Sequence, residues 1–134
     1  MAITPAPKQV VRRYLKALTD GTMTELAKWA SQDIKAVQGS QHAQGMTALE
    51  HYATTYRKQV EGWRIQPGRM IAEGNWVAVS GVCTGKTGGK PFELPFLGHF
   101  RVARGKVAEL ILAMDASVEV KSQPASHAFP LEPK

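Results

Sequence analysis

Residues 91–115, PFELPFLGHFRVARGKVAELILAMD, decide the fold class. Two runs in which apolar residues alternate with mixed ones flank a short Arg104-Gly105 turn. A period of two on both sides of a glycine-bearing turn predicts a long β-hairpin with one buried face. The positions expected on that face are Phe92, Leu94, Phe96, Gly98, Phe100 and Val102 in the first run and Ala108, Leu110, Leu112 and Met114 in the second.

A hairpin of this length is typical of a curved sheet that wraps around other elements, and the upstream chain supplies helices. Apolar residues recur at helical spacing over residues 8–19, and Asp20-Gly21 ends that helix. We expect a second, short helix over residues 24–30. A third helix is expected over residues 47–60, opened by a Thr47–Glu50 capping box.

The rest of the chain is predicted to be extended. Pro67 implies a bulge or an edge in its strand, because proline cannot donate to a sheet hydrogen bond. The predicted segments are a strand over 33–38, a polar loop over 39–45, strands over 63–72 and 76–84, and a glycine-rich turn over 85–90.

This order of elements predicts an α+β fold, in which three N-terminal helices pack in a curved, mostly antiparallel sheet. We expect one domain over residues 1–134, with its core at about 8–118. Residues 118–120 extend or follow the last strand. Three prolines in residues 121–134 predict an irregular tail.

The composition is that of an ordinary globular domain, with 43% hydrophobic and 21% charged residues. No apolar run of about 18 residues occurs, so no membrane span is expected. The start, MAITPAPK, lacks the apolar segment of a secretory signal. A single cysteine, Cys83, cannot form an internal disulfide and fits a reducing compartment, so we expect a cytoplasmic protein.

The formal net charge of +6 raises the question of an anionic partner. Lys8, Arg12, Arg13 and Lys16 lie close together in sequence, on the outer side of the first predicted helix. No aromatic platform, zinc motif or helix-turn-helix signature accompanies them. A solvated helix face explains them better, and binding to nucleic acid or another anionic partner ranks third among the function classes.

Two segments resemble the nuclear transport factor 2-like superfamily, which includes ketosteroid isomerases, limonene epoxide hydrolases and SnoaL-like polyketide cyclases. Residues 10–33, VVRRYLKALTDGTMTELAKWASQD, resemble the family's opening helix, turn, short helix and acidic stop. Residues 96–115, FLGHFRVARGKVAELILAMD, resemble its glycine-lysine hairpin. Over residues 8–118 the resemblance implies a cone-shaped α+β fold, and it leaves the reaction open because one fold carries many sites.

The catalytic positions of ketosteroid isomerases can be compared with this sequence through the resemblance. These enzymes use a tyrosine in the first helix, an aspartate base after the first strand and an acid in the hairpin. The matching positions are Tyr14, Gln38 and Gly98. Without a carboxylate base, no group is evident that could move a proton between carbon atoms at neutral pH, so steroid isomerisation is disfavoured.

The catalytic groups of the epoxide hydrolases and the cyclases are also absent from the matching positions of this sequence. The Arg-x-Asp pair and the last-strand aspartate of limonene epoxide hydrolases fall at Val79, Gly81 and Leu112. The last-strand aspartate of SnoaL-like cyclases also falls at Leu112. Asp115 is the nearest remaining carboxylate, three residues further on.

Tyr14 and Asp115 are the candidate catalytic residues. The resemblance implies that Tyr14 donates a hydrogen bond to a ligand carbonyl; otherwise it is a core tyrosine. Asp115 would act as an acid or base if its side chain entered the pocket, whereas simple alternation places it on the face opposite Leu112. Gln38 either binds a polar group at the cavity mouth or merely ends a strand.

Apolar side chains of this fold would line a cavity for a small hydrophobic molecule. Cys83 is either one of them or a buried structural thiol. No compact His, Asp or Glu cluster has metal-ligand spacing, so we expect no metal site, and no cofactor is implied. The predicted ligand-binding residues besides Gln38 are Trp29, Val79, Cys83, Phe96, Leu110, Leu112 and Met114.

Two functions remain open. The first is a SnoaL-like protein that binds a small, mostly apolar molecule, with acid/base lyase, cyclase or isomerase chemistry if it turns that molecule over. The second is a non-catalytic ligand-binding or dimeric assembly module. A homodimer is expected because an apolar patch usually marks an interface, and alternation places Leu97, Ala103, Ile111 and Ala113 on the outer hairpin face, beside His99 and Glu109.

Overall fold

Three helices pack against one six-stranded sheet in the computed structural model, which describes residues 5–38 and 41–114. The elements in chain order are α1 (Pro7–Asp20), α2 (Met23–Trp29), β1 (Ala30–Gln38), β2 (Gln41–Gln44), α3 (Met46–Gln59), β3 (Glu61–Glu73), β4 (Trp76–Thr87), β5 (Lys90–Ala103) and β6 (Lys106–Met114).

The strands lie in the order β2-β1-β6-β5-β4-β3. Every neighbouring pair is antiparallel except β1 and β6, which run parallel. The sheet is curved and does not close, and the helices cover its inner face. The predicted α+β class is therefore confirmed, with three helices and a mostly antiparallel sheet.

Helix α1 forms where the apolar spacing predicts it. Pro7 occupies its first turn, where the missing N–H costs no hydrogen bond. Val10 and Val11 are fully buried, and Tyr14 lies one turn further along the same side. Arg57 of α3 donates hydrogen bonds of 2.9–3.3 Å to the carbonyl oxygens at the end of α1, which ties the two helices together.

The polar loop expected over residues 39–45 is wrong in part, because Gln41–Gln44 form strand β2. This strand pairs antiparallel with β1, with Lys35 opposite Gln44. Its residues show no alternation of apolar and polar side chains, so only its pairing with β1 in the structure identifies it as a strand. The Thr47–Glu50 capping box is also wrong: α3 follows Gly45, whose φ of 93° suits glycine, and no side chain caps the helix.

The predicted bulge in β3 is confirmed. Pairing with β4 shifts between Pro67 and Arg69, so the strand accommodates a residue that cannot donate to the ladder. The turn expected over residues 85–90 is shorter, because β4 and β5 pair as far as Thr87 and Lys90 and leave only Gly88-Gly89 between them.

A second bulge changes the predicted buried face of β6. Arg101 lies opposite Glu109 and Val102 opposite Val107, so Ala108 is the extra residue. The inward side chains near the turn are consequently Val107, which is fully buried, and Leu110, whereas Ala108 was expected on that face. In β5, which carries no extra residue and pairs with β4 without a register shift, the alternation predicted from Leu94 to Val102 is confirmed.

Asp115, the predicted extension over residues 118–120 and the irregular tail over residues 121–134 lie outside the described residues. Among the helices of the described ranges, none is both long enough and apolar enough to cross a bilayer.

Candidate functional site

An apolar cavity of about 40 Å³ lies between the helices and the inner face of the sheet. Helices α1 and α3, strands β1, β5 and β6 and one residue of β3 supply most of its wall. The lining residues are Tyr14, Leu15, Leu18, Ile34, Ala36, Val37, Gln38, Ala43, Gly45, Leu49, Tyr52, Ile65, Phe96, Phe100, Leu110 and Leu112.

Tyr14, Gln38 and Tyr52 are the polar side chains among these lining residues. Burial raises the pKa of the Tyr14 hydroxyl well above its ordinary value of 10. Burial also raises the pKa of Tyr52, with smaller contributions from Tyr56, Cys83 and Tyr14. Both phenols are therefore neutral hydrogen-bond donors at physiological pH, and the described wall carries no charge.

Packing fixes the position of Tyr14. Its ring meets Phe100 edge-on, with the ring centroids 6.1 Å apart and the planes at 64°. Phe100, which is 1% exposed, comes from the centre of β5. On the opposite wall, Gln38 pairs with Leu112 across β1 and β6, and its side-chain oxygen Oε1 is buried.

An aromatic cluster of Tyr52, Tyr56 and Trp63 fixes the position of Tyr52. The Trp63 ring stacks on Tyr56 at 4.7 Å and meets Tyr52 edge-on at 6.1 Å. The indole Nε1 of Trp63 donates a hydrogen bond of 3.3 Å to Cys83 Sγ. These contacts hold Tyr52 through side chains of α3, β3 and β4, and they place Cys83 in this cluster.

The structure brings five of the predicted site residues together. Tyr14, Gln38, Phe96, Leu110 and Leu112 all line the cavity. Their roles in binding or catalysis stay predictions.

The other predicted residues lie elsewhere. Val79 and Cys83 are buried in the core and do not line the cavity. Trp29 borders an outer groove between α1 and α2, where the Arg13 guanidinium lies 5.2 Å from its ring centroid. Met114 is the last described residue of β6, opposite Phe96 in register, and Asp115 lies beyond the described residues.

Sequence reasoning missed Tyr52 and Ile65 as cavity residues. The spacing of α3 predicts that Tyr52 is buried, and a period of two in β3 places Ile65 on the same face of the strand as Trp63. Neither pattern distinguishes a cavity wall from solid core. Nothing in the sequence indicates that Ala43 lines the cavity, because its position depends on strand β2, which was expected to be a loop.

The two glycines that the resemblance matches to catalytic positions of related enzymes have no room for a side chain. A Cβ on Gly98 would lie 2.5 Å from Phe100 Cε1 and 3.3 Å from Leu112 Cδ1. A Cβ on Gly81 would clash with the carbonyl oxygen of Gln66 and lie 2.9 Å from the Phe96 ring. The space that a carboxylate would need is filled by aromatic rings and backbone.

His99 and Glu109 lie on the outer face, as the alternation predicts. The His99 ring lies 4.5 Å from that of Trp76, and Glu109 accepts a hydrogen bond of 3.0 Å from Arg101 Nε. Within residues 5–38 and 41–114, no three His, Cys, Asp or Glu side chains are grouped so that they could hold a metal ion.

Comparison with solved structures shows the same fold in several proteins. A candidate SnoaL-like polyketide cyclase from Shewanella denitrificans OS-217 superposes with a TM-score of 0.78 at 17% identity, covering 88% of this chain and 96% of that one. IdmH, a candidate polyketide cyclase from Streptomyces antibioticus, gives 0.77 at 17% identity, covering 88% and 98%. A nuclear transport factor 2-like protein from Burkholderia xenovorans LB400 gives 0.74 at 21% identity, covering 87% and 94%.

At these identities the structural likeness shows the fold alone, and no curated protein matches the sequence significantly. The sequence itself matches the family model of the SnoaL-like domain over residues 11–110, which spans α1 to the middle of β6. By this match, together with its cone-shaped α+β architecture, the chain belongs to the SnoaL-like domain family.

Proposed function

We propose that this protein binds a small, mostly apolar molecule in the cavity and that Tyr14 is its main polar contact. The observation that carries the proposal is the composition of the wall, in which apolar side chains surround two neutral tyrosine hydroxyls and one amide. Few polar groups in a largely apolar pocket suit a ligand with one hydrogen-bond acceptor, such as a cyclic ketone.

Tyr14→Phe is expected to weaken binding of such a ligand by about 0.5–1.5 kcal/mol, the net contribution of one hydrogen bond. Thermal-shift screening of small cyclic ketones and alcohols would identify a ligand. Calorimetric titration would then give the difference in binding free energy between wild type and Tyr14→Phe. Tyr56→Phe is the matched control, because Tyr56 is equally buried but does not line the cavity. A ligand that stabilises wild type and Tyr14→Phe equally would place its site elsewhere.

Any turnover would be acid/base chemistry of the lyase, cyclase or isomerase type, with Tyr14 and Asp115 as its residues. A phenol with a raised pKa acts as a hydrogen-bond donor and not as a base. Proton removal would therefore fall to Asp115 or to a bound water. Asp115→Asn, assayed on a ligand that the screen identifies, would test this role.

We expect neither steroid isomerisation nor epoxide hydrolysis. Gln38 and Gly98 replace the isomerase carboxylates, and Val79, Gly81 and Leu112 replace the hydrolase groups. The measurement is turnover of a Δ5-3-ketosteroid and of limonene epoxide by purified protein. Activity that copurifies with the protein and disappears in Tyr14→Phe would contradict this expectation.

Binding without turnover is the second candidate function. It is favoured by the absence, among the described lining residues, of any side chain that titrates near neutral pH. Recovery of an identified ligand unchanged after long incubation, with its affinity still dependent on Tyr14, would support this alternative over catalysis.

We further propose that the protein forms a homodimer through the outer face of the sheet. Leu97 is 64% exposed and Ile111 is 44% exposed on that face, although both are large and apolar. Wild type is expected to sediment as a dimer at roughly tens of micromolar, a range in which an interface of standard size holds. Leu97→Lys should shift it toward monomer, whereas Thr54→Lys, at an exposed position of helix α3 on the other side of the sheet, should not. A monomeric wild type would contradict the proposal.

A cytoplasmic location is also part of the proposal. It is supported by Cys83, the single cysteine of the chain, which is buried, accepts a hydrogen bond from an indole and needs no oxidising compartment. Fractionation of cells that produce the native protein would test it.

A further inference from the structure

A basic cleft lies on the other side of the cavity wall. It has a volume of about 900 Å³ and runs between α1, the end of α3 and the first half of edge strand β3. The residues of this basic cleft are Arg12, Lys16, Thr19, Asp20, Arg57, Val60, Gly62, Trp63, Arg64, Ile65, Gln66 and Pro67.

Four cationic side chains and one carboxylate line the basic cleft. The carboxylate, Asp20, is already paired with Lys16 at 3.3 Å, and both are exposed. Arg12 and Arg64 are exposed, and no salt bridge engages either within the described ranges. The basic cleft therefore holds an excess of positive charge that an anion would neutralise.

Arg57 is the preorganised member of this group. Its Nε and Nη2 donate to the carbonyl oxygens of Ala17 and Leu18, which fixes the guanidinium plane at the end of α1. The Nη1 group is not used in these bonds. A fixed guanidinium loses little entropy when it binds an anion, which is why arginine suits carboxylates and phosphates.

Ile65 separates the basic cleft from the cavity. It is the one described residue that lines both, and it is half-buried. Helix α1 faces both spaces as well: Tyr14 and Leu15 line the cavity, and Arg12 and Lys16 line the basic cleft. The apolar space and the cationic surface are thus separated by one side chain and one helix.

The cavity as it stands is too small to enclose a whole cyclic ligand, including the ketones proposed above, unless side chains of its wall move. A void needs roughly 10–15 Å³ on this measure to hold one water, so 40 Å³ holds about three. A larger ligand must displace a wall residue or extend beyond the cavity, and displacement of Ile65, which lines both spaces, would lead to the arginines.

We infer that the basic cleft binds the anionic end, a carboxylate or phosphate, of an amphiphilic ligand whose apolar end occupies the cavity. This inference rests on the proposed function, since the cavity must bind the apolar part. A small ligand fits better than nucleic acid, because Trp63, the aromatic residue of the basic cleft, is 6% exposed and cannot stack on a base.

The test compares six-carbon probes that differ in charge, by isothermal titration at low salt: hexanoate, hexyl phosphate and neutral hexanamide. At least one anionic probe is expected to bind about fivefold to tenfold more tightly than hexanamide, because the exposed guanidiniums of Arg12 and Arg64 attract its charge. The double variant Arg12→Gln/Arg64→Gln should remove this preference and leave hexanamide unchanged. Arg69→Gln, an exposed arginine of β3 outside the basic cleft, should keep it.

Four results would overturn the inference. If hexanamide binds as tightly as both anions, the cavity alone carries the binding, and the proposed function survives without the inference. If Arg69→Gln abolishes the preference as fully as the double variant does, the preference is an effect of net charge. If acetate, titrated as a short control, binds as tightly as hexanoate, the apolar chain makes no contact. If no probe binds at all, the inference fails, and the screen of cyclic ketones and alcohols decides the proposed function separately.

Discussion

Phe100→Ala is expected to lower the free energy of unfolding by about 3–5 kcal/mol, as removal of a buried aromatic ring typically does. Phe100 is 1% exposed, its ring meets Tyr14 edge-on, and it fills the space above Gly98. The substitution removes the contact with Tyr14 and the packing above Gly98. It also joins the vacated space to the cavity, so the variant should bind larger apolar ligands than wild type does.

Urea denaturation would measure the stability change. Phe92→Ala is the matched control, because Phe92 lies on the same strand and face but is only half-buried and does not line the cavity. Its cost should be less than half as large. Equal losses in both variants would mean that Phe100 has no special place in the cavity wall. Binding of benzene-sized compounds by Phe100→Ala alone would support the enlargement.

Leu112→Asp is expected to destabilise the protein by about 1–3 kcal/mol at pH 7, because it places a carboxylate without a cationic partner at a half-buried position of the cavity wall. The same substitution at Ile111 provides the control. Ile111 is the preceding residue of β6, and its side chain is 44% exposed on the outer face. Ile111→Asp should therefore cost little stability in the monomer.

The pH dependence of Leu112→Asp identifies the cause of the loss. Burial raises the pKa of the introduced carboxyl in the folded state above its unfolded value. The folded state then binds the extra proton over a range in which the unfolded state does not, so stability falls as pH rises through that range. Lowering the pH from 7 toward 5 should restore part of the stability to this variant and none to Ile111→Asp. A loss that is independent of pH would indicate a packing defect instead.

The hairpin and the helices were predictable because their residues have few alternatives. Leu94 to Val102 alternate without interruption, and β5 pairs with β4 without a register shift, so pattern and structure agree. Val10, Val11 and Tyr14 form one side of α1 for the same reason. Local periodicity is sufficient wherever tertiary contacts do not change the register.

The bulge at Ala108 and strand β2 depend on pairing partners that a single sequence does not reveal. An extra residue shifts the alternation of β6 by one, and the mostly polar residues Gln41–Gln44 become a strand only beside β1. Trp29 was expected in the cavity, but the short helix α2 places it outside, against Arg13. Which apolar side chains line a space, and which fill it, depends on sheet curvature and not on composition.

The parallel pairing of β1 with β6 also affects the order in which the protein can assemble during synthesis. Residues 30–38 leave the ribosome early, but their partner, residues 106–114, leaves last among the described elements. Until then β1 and β2 can form only an isolated two-stranded ribbon, which is marginal in water.

A nascent chain that ends at the Arg104-Gly105 turn would also lack Leu110 and Leu112, so one wall of the cavity would be open. Helices α1 and α3 would then present apolar sides with no complete sheet to cover them. Translation adds about 5–20 residues per second, so this exposure lasts only seconds in the cell, but a stalled or truncated product would keep it. Such products should be the species that chaperones bind and proteases remove.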